Sequence, residues 1–359
     1  MRILILANSQ RGLYLFRKEL ILKLLEEGHE VGFSVPGGEC AALLQKAGCT
    51  FLETEIDRRG MNPKQDGKLF QRYRKMIRDY RPELLITYTI KPNIYGGIAA
   101  RMGKVPYAAN ITGLGTAFQK AGLTRRTVTR LYRTALKKAK IIFFENAEIR
   151  EDALRFHLCR AEQTHVLNGA GVNLTAFPAE PYPENPVFRF LYVGRIMQEK
   201  GIEELLEAVR RLKTAGEECI LDIVGDYEED YRKAIAEGEK EGLLLYHGQQ
   251  NDVKPYYKAC DCFVLPSWHE GMANTNLEAA ATGRPIITSD IPGCREAIIE
   301  GESGLLCTPR DAESLTQTMI KMLHTPTPER QQMGKNGRKH MEDQFDKDRV
   351  VRETIDAMI

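Results

Sequence analysis

No stretch of this chain approaches the roughly 18 consecutive apolar residues of a membrane-spanning helix, so the sequence offers no candidate for such a span. The opening MRILILAN runs straight into a strand-like segment, without the apolar core and cleavage site of a secretory signal, which predicts residence in the cytoplasm. Paired cysteines are missing as well. Cys40, Cys49, Cys159, Cys219, Cys260, Cys262, Cys294 and Cys307 are scattered with no CxxC spacing. That usage fits buried thiols in a reducing compartment better than a metal site. There is no short-period repeat. Gly113 and Gly115 give a G-x-G without the third glycine of a dinucleotide fingerprint, which argues against a nicotinamide site.

What is present is an ordinary globular composition, 43% hydrophobic and 28% charged over 359 residues, long for one core and comfortable for two domains. The net charge of +2 conceals an asymmetry. Residues 1–180 carry 29 Lys and Arg against 17 Asp and Glu, while residues 181–359 carry 22 against 32. A basic first half suits an anionic partner such as an acidic membrane or a diphosphate. Pro178, Pro181, Pro183 and Pro186 cluster in 176–188, where neither a helix nor a central strand can continue, and the domain boundary is expected there.

On both sides of that stretch, apolar runs alternate with helical patterns. RILILA (2–7), VGFSV (31–35), LLITY (84–88), YAANIT (107–112), IIFFEN (141–146) and HVLN (165–168) lie in the first half. FRFLYVGR (188–195), ILDIVG (220–225), LLLYHG (243–248), CFVLP (262–266) and PIITSD (285–290) lie in the second. Near-continuous apolar strands separated by helices read as α/β, two parallel sheets covered on both faces. YLFRKELILKLLEEG (14–28) is one such helix, closed by Gly28.

The richest segment is WHEGMANTNLEAAATGRPIITSDIPG (268–293), which reads as strand end, turn, helix, strand. With a helix over 271–283, Glu270 stands at its N-terminal edge and Glu278 two turns on, about 12 Å along the axis. Alone, the pair reads equally as a cap and a solvated face. VGRIMQEKGIEELLEAV (193–209) places Arg195 and Lys200 on one loop at a strand's carboxyl end, where two cations can neutralise a diphosphate. An isolated pair at that spacing also fits plain surface charge.

Together these segments resemble the donor site of retaining glycosyltransferases of family four, which have the GT-B fold. That likeness implies two doubly wound Rossmann-like parallel-sheet domains facing across a cleft. The first is expected over 1–178 on the acceptor side and the second over 179–344 on the nucleotide-sugar side, with a helix at about 345–359 packing back on the first. It implies that Arg195 and Lys200 bind the diphosphate beside Gly194, and that Glu270 faces the donor sugar. Glu278 is to accept hydrogen bonds from the ribose, and the backbone of Gly271, Met272, Ala273 and Asn274 is to point at sugar hydroxyls and the distal phosphate. HGQQNDVKPYYKACD (247–261) is to border the nucleobase through Gly248 and Val253, with uridine diphosphate preferred.

On the acceptor side, Asn8, Ser9, Arg11 and Gly12 follow the first strand; Lys91 follows a second; Thr112 and Gly113 follow a third. KPN…GGIAAR and ITGLG look like bacterial polysaccharide members of the same family. Many relatives place a histidine where this chain has Thr112. The segments 68–81 and 123–140 interleave apolar and cationic residues, which reads as a solvated face or as peripheral attachment to anionic lipid. No nucleic-acid motif accompanies the charge.

The expected activity is therefore transfer of a hexose, N-acetylhexosamine or uronic acid from a nucleotide-sugar to a glycan or polyprenyl-diphosphate-linked acceptor. It needs no cofactor and no metal, since protein cations offset the charge; Asp346 and Asp348 read as a chance D-x-D in a charged helix. A UDP-sugar 2-epimerase of the same architecture and a non-catalytic nucleotide-sugar-binding partner are the alternatives.

Overall fold

In the computed structural model, which describes residues 1–57, 60, 62–115, 118 and 122–359, the chain divides into two units. The first comprises Met1–Ala170 with Asp348–Ile359, the second Gly171–Lys347.

The first unit runs β1 (Arg2–Leu6), α1 (Gln10–Glu26), β2 (Glu30–Ser34), α2 (Glu39–Lys46), β3 (Thr50–Phe51), α3 (Pro63–Tyr80) and β4 (Leu84–Tyr88). It continues through α4 (Gly97–Gly103), β5 (Tyr107–Ile111), α5 (Leu123–Leu136), β6 (Ile141–Phe144), α6 (Ala147–Arg155) and β7 (Thr164–Val166). The second runs β8 (Phe188–Val193), α7 (Ile202–Thr214), β9 (Cys219–Val224), α8 (Arg232–Lys240), β10 (Leu244–Tyr246), α9 (Lys254–Ala259) and β11 (Cys262–Leu265). α10 (Asn274–Ala281), β12 (Ile286–Ser289), β13 (Gly304–Cys307), α11 (Ala312–His324), α12 (Thr327–His340) and α13 (Lys347–Met358) complete the chain.

Both sheets are parallel throughout, with strand orders β3-β2-β1-β4-β5-β6-β7 and β10-β9-β8-β11-β12-β13. Each order reverses once, at β1/β4 and at β8/β11. The apolar runs are buried on both faces, as strands between two helical layers must be. One face of the first sheet packs Leu13, Leu20 and Leu24 of α1 with Val351, Ile355 and Met358 of α13; the other packs Tyr73 and Ile77 of α3 with Tyr132 and Leu136 of α5. Val351, Ile355 and Met358 recur at helical spacing, so one stripe of α13 is committed to this core. Lys140 Nζ caps that helix's end by donating to Met358 O at 2.7 Å.

Three element boundaries differ from the sequence reading. α1 starts at Gln10, not 14, because Ser9 caps it, its Oγ accepting the Gly12 N–H at 3.1 Å. α10 covers only Asn274–Ala281, so Glu270 lies on the preceding loop and the helical rise does not set its separation from Glu278. The chain leaves the first unit at Ala170, ahead of the proline-rich stretch. That stretch is held to the second unit by fully buried Arg284, which donates to Pro181 O (2.7 Å) and Glu180 O (3.3 Å). The same guanidinium donates to Tyr257 O (2.9 Å) and Lys258 O (3.1 Å).

Candidate functional site

β8 and β11 are hydrogen-bonded neighbours at the point where the second sheet's order reverses. The loops leaving their carboxyl ends diverge there, which opens a crevice in any sheet of this kind. The loop after β8 carries Gly194, Arg195 and Lys200; the loop after β11 carries Ser267, Glu270 and Gly271. Far apart in sequence, they meet in space. Lys200 Nζ forms an ion pair with Glu270 Oε1, and Ser267 Oγ donates to the same oxygen at 2.8 Å. The Lys200 and Glu270 side chains are only 18% and 11% exposed, so the pair is largely desolvated and breaking it would strand a charge.

The backbone makes this approach possible. Trp268 N–H donates to Glu199 O at 2.9 Å, joining the two loops directly, and its indole N–H donates to Glu204 Oε1 in the first turn of α7 at 3.1 Å. Gly201 has φ +71°, and a Cβ there would lie 2.0 Å from Pro266 O. Gly293 has φ +82°, and a Cβ would lie 2.6 Å from Gly271 O. Only glycine supplies both the conformation and the clearance.

Arg195 does not join the Lys200 cluster. Its half-exposed side chain lies 3.5 Å from Glu228, while its carbonyl accepts the Tyr192 hydroxyl at 2.7 Å. Gly194 precedes it, its N–H donating to Val224 O at 3.0 Å. The four backbone donors expected from Gly271 to Asn274 are not all available. Ala273 N–H donates to Gly293 O at 2.7 Å and Asn274 N–H to Met272 O at 3.0 Å. The Asn274 side-chain Oδ1, by contrast, is buried with no hydrogen-bond partner among the described residues.

Glu278 projects from the middle of α10, and its Oε2 accepts the Tyr257 hydroxyl at 2.9 Å. Burial pushes its carboxyl from the ordinary 4.5 up to about 7; the Tyr257 hydrogen bond and the Lys347 charge pull it down without overcoming that effect. Burial, then the Glu278 charge, raises the Tyr257 hydroxyl well above its ordinary range. Gly248 follows β10 with φ +66°, its carbonyl accepting the Gly225 N–H at 2.9 Å. Val253 immediately precedes α9 and packs against the core.

In the first unit, the acceptor-side candidates follow β1, β4 and β5, the first two being the strands at that sheet's order reversal. Arg11 and Gly12 sit in the first turn of α1 rather than in a loop, with Asn8 and Ser9 just before it. Lys91 pairs with Asp66 at 2.8 Å, both largely buried, and the Tyr95 hydroxyl donates to the other Asp66 oxygen at 3.0 Å. The chain ahead of Lys91 is strained: Thr89, β-branched, has φ +71°. A single π-turn, Pro92–Gly96, follows. Thr112 and Gly113 follow β5 directly, and each is partly exposed.

Ser267 as a partner of Glu270, Tyr257 as a partner of Glu278 and Asp66 as a partner of Lys91 escaped the sequence reading. Asp66 had a usable signal in the sequence, a carboxylate just ahead of the cationic segment 68–81. Among the described residues, no three His, Cys, Asp or Glu side chains converge as a metal site would require.

Comparison with known proteins bears on both units. Residues 2–146 match the family described as Glycosyl transferase 4-like, and residues 178–340 match Glycosyl transferases group 1. The chain is 29% identical over 342 residues to the N,N'-diacetylbacillosaminyl-diphospho-undecaprenol alpha-1,3-N-acetylgalactosaminyltransferase of Campylobacter jejuni, covering 90% of this chain and 89% of that one. It is 28% identical over 181 residues to the capsular polysaccharide biosynthesis glycosyltransferase CapM of Staphylococcus aureus, covering 48% of this chain and 46% of that one. Among solved structures, a glycosyltransferase from Rickettsia africae superposes with a TM-score of 0.80 at 19% identity, over 99% of this chain and 97% of that one. Anabaena HepE in complex with UDP and glucose superposes with a TM-score of 0.79 at 18% identity, over 99% of this chain and 98% of that one.

Proposed function

We propose that this chain, which belongs to the family-four glycosyltransferases of the GT-B fold, moves a hexosyl or N-acetylhexosaminyl group from a UDP-sugar to a polyprenyl-diphosphate-linked glycan, with retention of configuration. It is a glycosyltransferase of polysaccharide or lipid-linked glycan assembly. The acceptor reading is supported by the Campylobacter relative, whose name specifies a diphospho-undecaprenol acceptor. The donor reading is supported by the Anabaena neighbour, solved with UDP and with UDP-glucose.

The observation that carries the reading is the convergence of Lys200, Glu270 and Ser267 at the order reversal of the second sheet. In the proposed reaction, the bond between the anomeric carbon and the distal phosphate breaks as the acceptor oxygen bonds to the same face. The acceptor's proton passes to the departing phosphate oxygen. Lys200 and Arg195 stabilise the charge gathering on that phosphate. Glu270 Oε1 is occupied by Lys200 and Ser267, which fixes the carboxylate, and Oε2 is assigned to the sugar hydroxyls. Glu278 holds the ribose, with Gly248 and Val253 at the base. Asn8, Ser9, Arg11, Gly12, Lys91, Thr112 and Gly113 are assigned to the acceptor.

No helix among the described residues is long and apolar enough to cross a membrane. Attachment is assigned to the cationic faces of α3 and α5, at the inner side of the cell membrane.

The test is a panel of nucleotide-sugars read by thermal shift, followed by mass spectrometry of lipid-linked acceptors incubated with the donor that binds. Lys200→Ala should lower kcat on the order of 10²–10³-fold, as loss of one preorganised charge does. If no nucleotide-sugar raises Tm or is consumed, the reading is wrong. A new epimer formed from donor alone would make the protein an isomerase.

A further inference from the structure

We infer that the first unit carries a binding site for the headgroup of an anionic phospholipid, in the cleft between α3 and α4. The cleft has a volume of about 720 Å³ and is walled by Arg74, Lys75, Arg78 and Arg81, with Ile77 and Met102 among its apolar lining.

The place of this cleft in the fold separates it from the transfer site. α3 is 18 residues long, about 27 Å at the helical rise. It runs back along the sheet, so that its last turn leads into β4, where Glu83 N–H donates to Arg2 O. α4 likewise ends just before β5 begins. The cleft therefore lies toward the amino ends of β4 and β5. Lys91 and Thr112 follow the carboxyl ends of the same strands.

The sequence builds this cationic wall on one stripe of α3. Leu69, Tyr73 and Ile77 turn inward, and Arg74, Arg78 and Arg81 recur at spacings of four and three on another face. In 71–82 the only carboxylate is Asp79, which pairs with Arg78 at 2.9 Å where both are exposed. Arg74 lies over the Phe70 ring at 5.9 Å. Lys75 and Arg81 have no carboxylate partner among the described residues. Like charges so arranged repel one another until an anion enters.

The chemistry of the lining selects the occupant. Four donors suit a phosphate, which arginine binds through paired N–H groups. Met102 is 57% exposed at the edge of the cleft, an apolar contact that a free phosphate does not use and the glycerol and first acyl carbons of a lipid do. No aromatic ring lines the cleft on which a nucleic-acid base could stack. The inference draws on the proposed attachment of α3 to a membrane, and it stands without the transfer reaction.

The test uses the full chain with dihexanoyl phosphatidylglycerol below its micelle concentration, with the phosphatidylcholine analogue, and with vesicles of phosphatidylcholine alone or mixed with phosphatidylglycerol. The short-chain anionic lipid should raise Tm saturably and the choline lipid should not. Replacing Arg74, Lys75 and Arg81 by Gln should abolish that saturable shift and weaken anionic-vesicle binding on the order of 100-fold, at about 1 kcal/mol per cation. Replacing Arg126, Arg130 and Arg133 of α5 by Gln removes the same charge and should leave the saturable shift intact. Equal loss in the two variants would mean diffuse attraction only, and absence of any shift with the wild-type chain would also overturn the inference. An unchanged circular dichroism spectrum and a cooperative melt without ligand report that both variants are folded. Lipid binding without any nucleotide-sugar response would leave this site standing while the transferase reading falls.

Discussion

With the ribose assigned to Glu278, as proposed, donor binding should be a proton-linked event. Burial holds the Glu278 carboxyl at about 7, so about one-eleventh of the free protein carries the carboxylate at pH 6 and about ten-elevenths at pH 8. Two ribose hydroxyls donating to Glu278 require the ionised form. The apparent Kd is the intrinsic value divided by the competent fraction, so affinity should rise about tenfold from pH 6 to pH 8, or about 1.4 kcal/mol. Near pH 7, about half a proton should be released per ligand bound. The ligand must be a nucleotide-sugar, because a free nucleoside diphosphate has a terminal phosphate that titrates near 6. Calorimetry in two buffers of different ionisation heat measures both quantities. Glu278→Gln should bind more weakly and without pH dependence over this range.

The same shift sets a stability trend of opposite sign. A carboxyl raised on folding contributes stability that is fully present below its unfolded value, near 4.5, and lost as pH rises through about 7. Glu278→Gln should therefore be more stable than the parent at pH 8, by up to about 3 kcal/mol. An affinity that is flat or falls between pH 6 and pH 8 in the parent protein would refute the assignment of Glu278 to the ribose.

Tyr257→Phe removes the hydrogen bond that lowers the Glu278 carboxyl, so the pH profile of binding should move to higher pH while the plateau affinity holds. Ser267→Ala deletes a hydrogen bond to a charged, largely buried carboxylate, and should cost about 1.5–3 kcal/mol in kcat/KM for the donor. Ser267→Thr, which keeps the hydroxyl, should recover most of that loss. Arg284→Met strands the carbonyls of Tyr257, Lys258, Glu180 and Pro181, and should lower Tm in calorimetry by at least about 5 °C.

The parallel sheets were readable because their strands are apolar on both faces and punctuated by amphipathic helices, a pattern each strand carries locally. Arg195, Lys200, Glu270 and Glu278 stood out for a different reason: alone each pair reads as a cap, a solvated face or plain surface charge, and only the resemblance of the surrounding segments to a known donor site singled them out. The start of α10 was not readable. The turn before it is held by Gly293, whose carbonyl takes the Ala273 N–H from beyond the next strand. Ser267 and Tyr257 escaped for the same reason, since each becomes meaningful only when the fold sets it beside a carboxylate. α1 was misread in a simpler way. Its apolar periodicity begins near Leu13, but Ser9 had already started the helix.

Arg284 also has a bearing on how such proteins recombine. A second unit exchanged between two of these enzymes at the proline stretch would arrive with a buried guanidinium whose acceptors, Glu180 O and Pro181 O, came from a foreign parent. Crossing over at Ala170 and Lys347 keeps that side chain with its own carbonyls. It also keeps the isolated bridge between Val172 and Asp346 whole, because both residues travel together. The transferable module is set by which backbone oxygens one arginine occupies, and the run of prolines that looks like a seam is part of what has to be inherited intact.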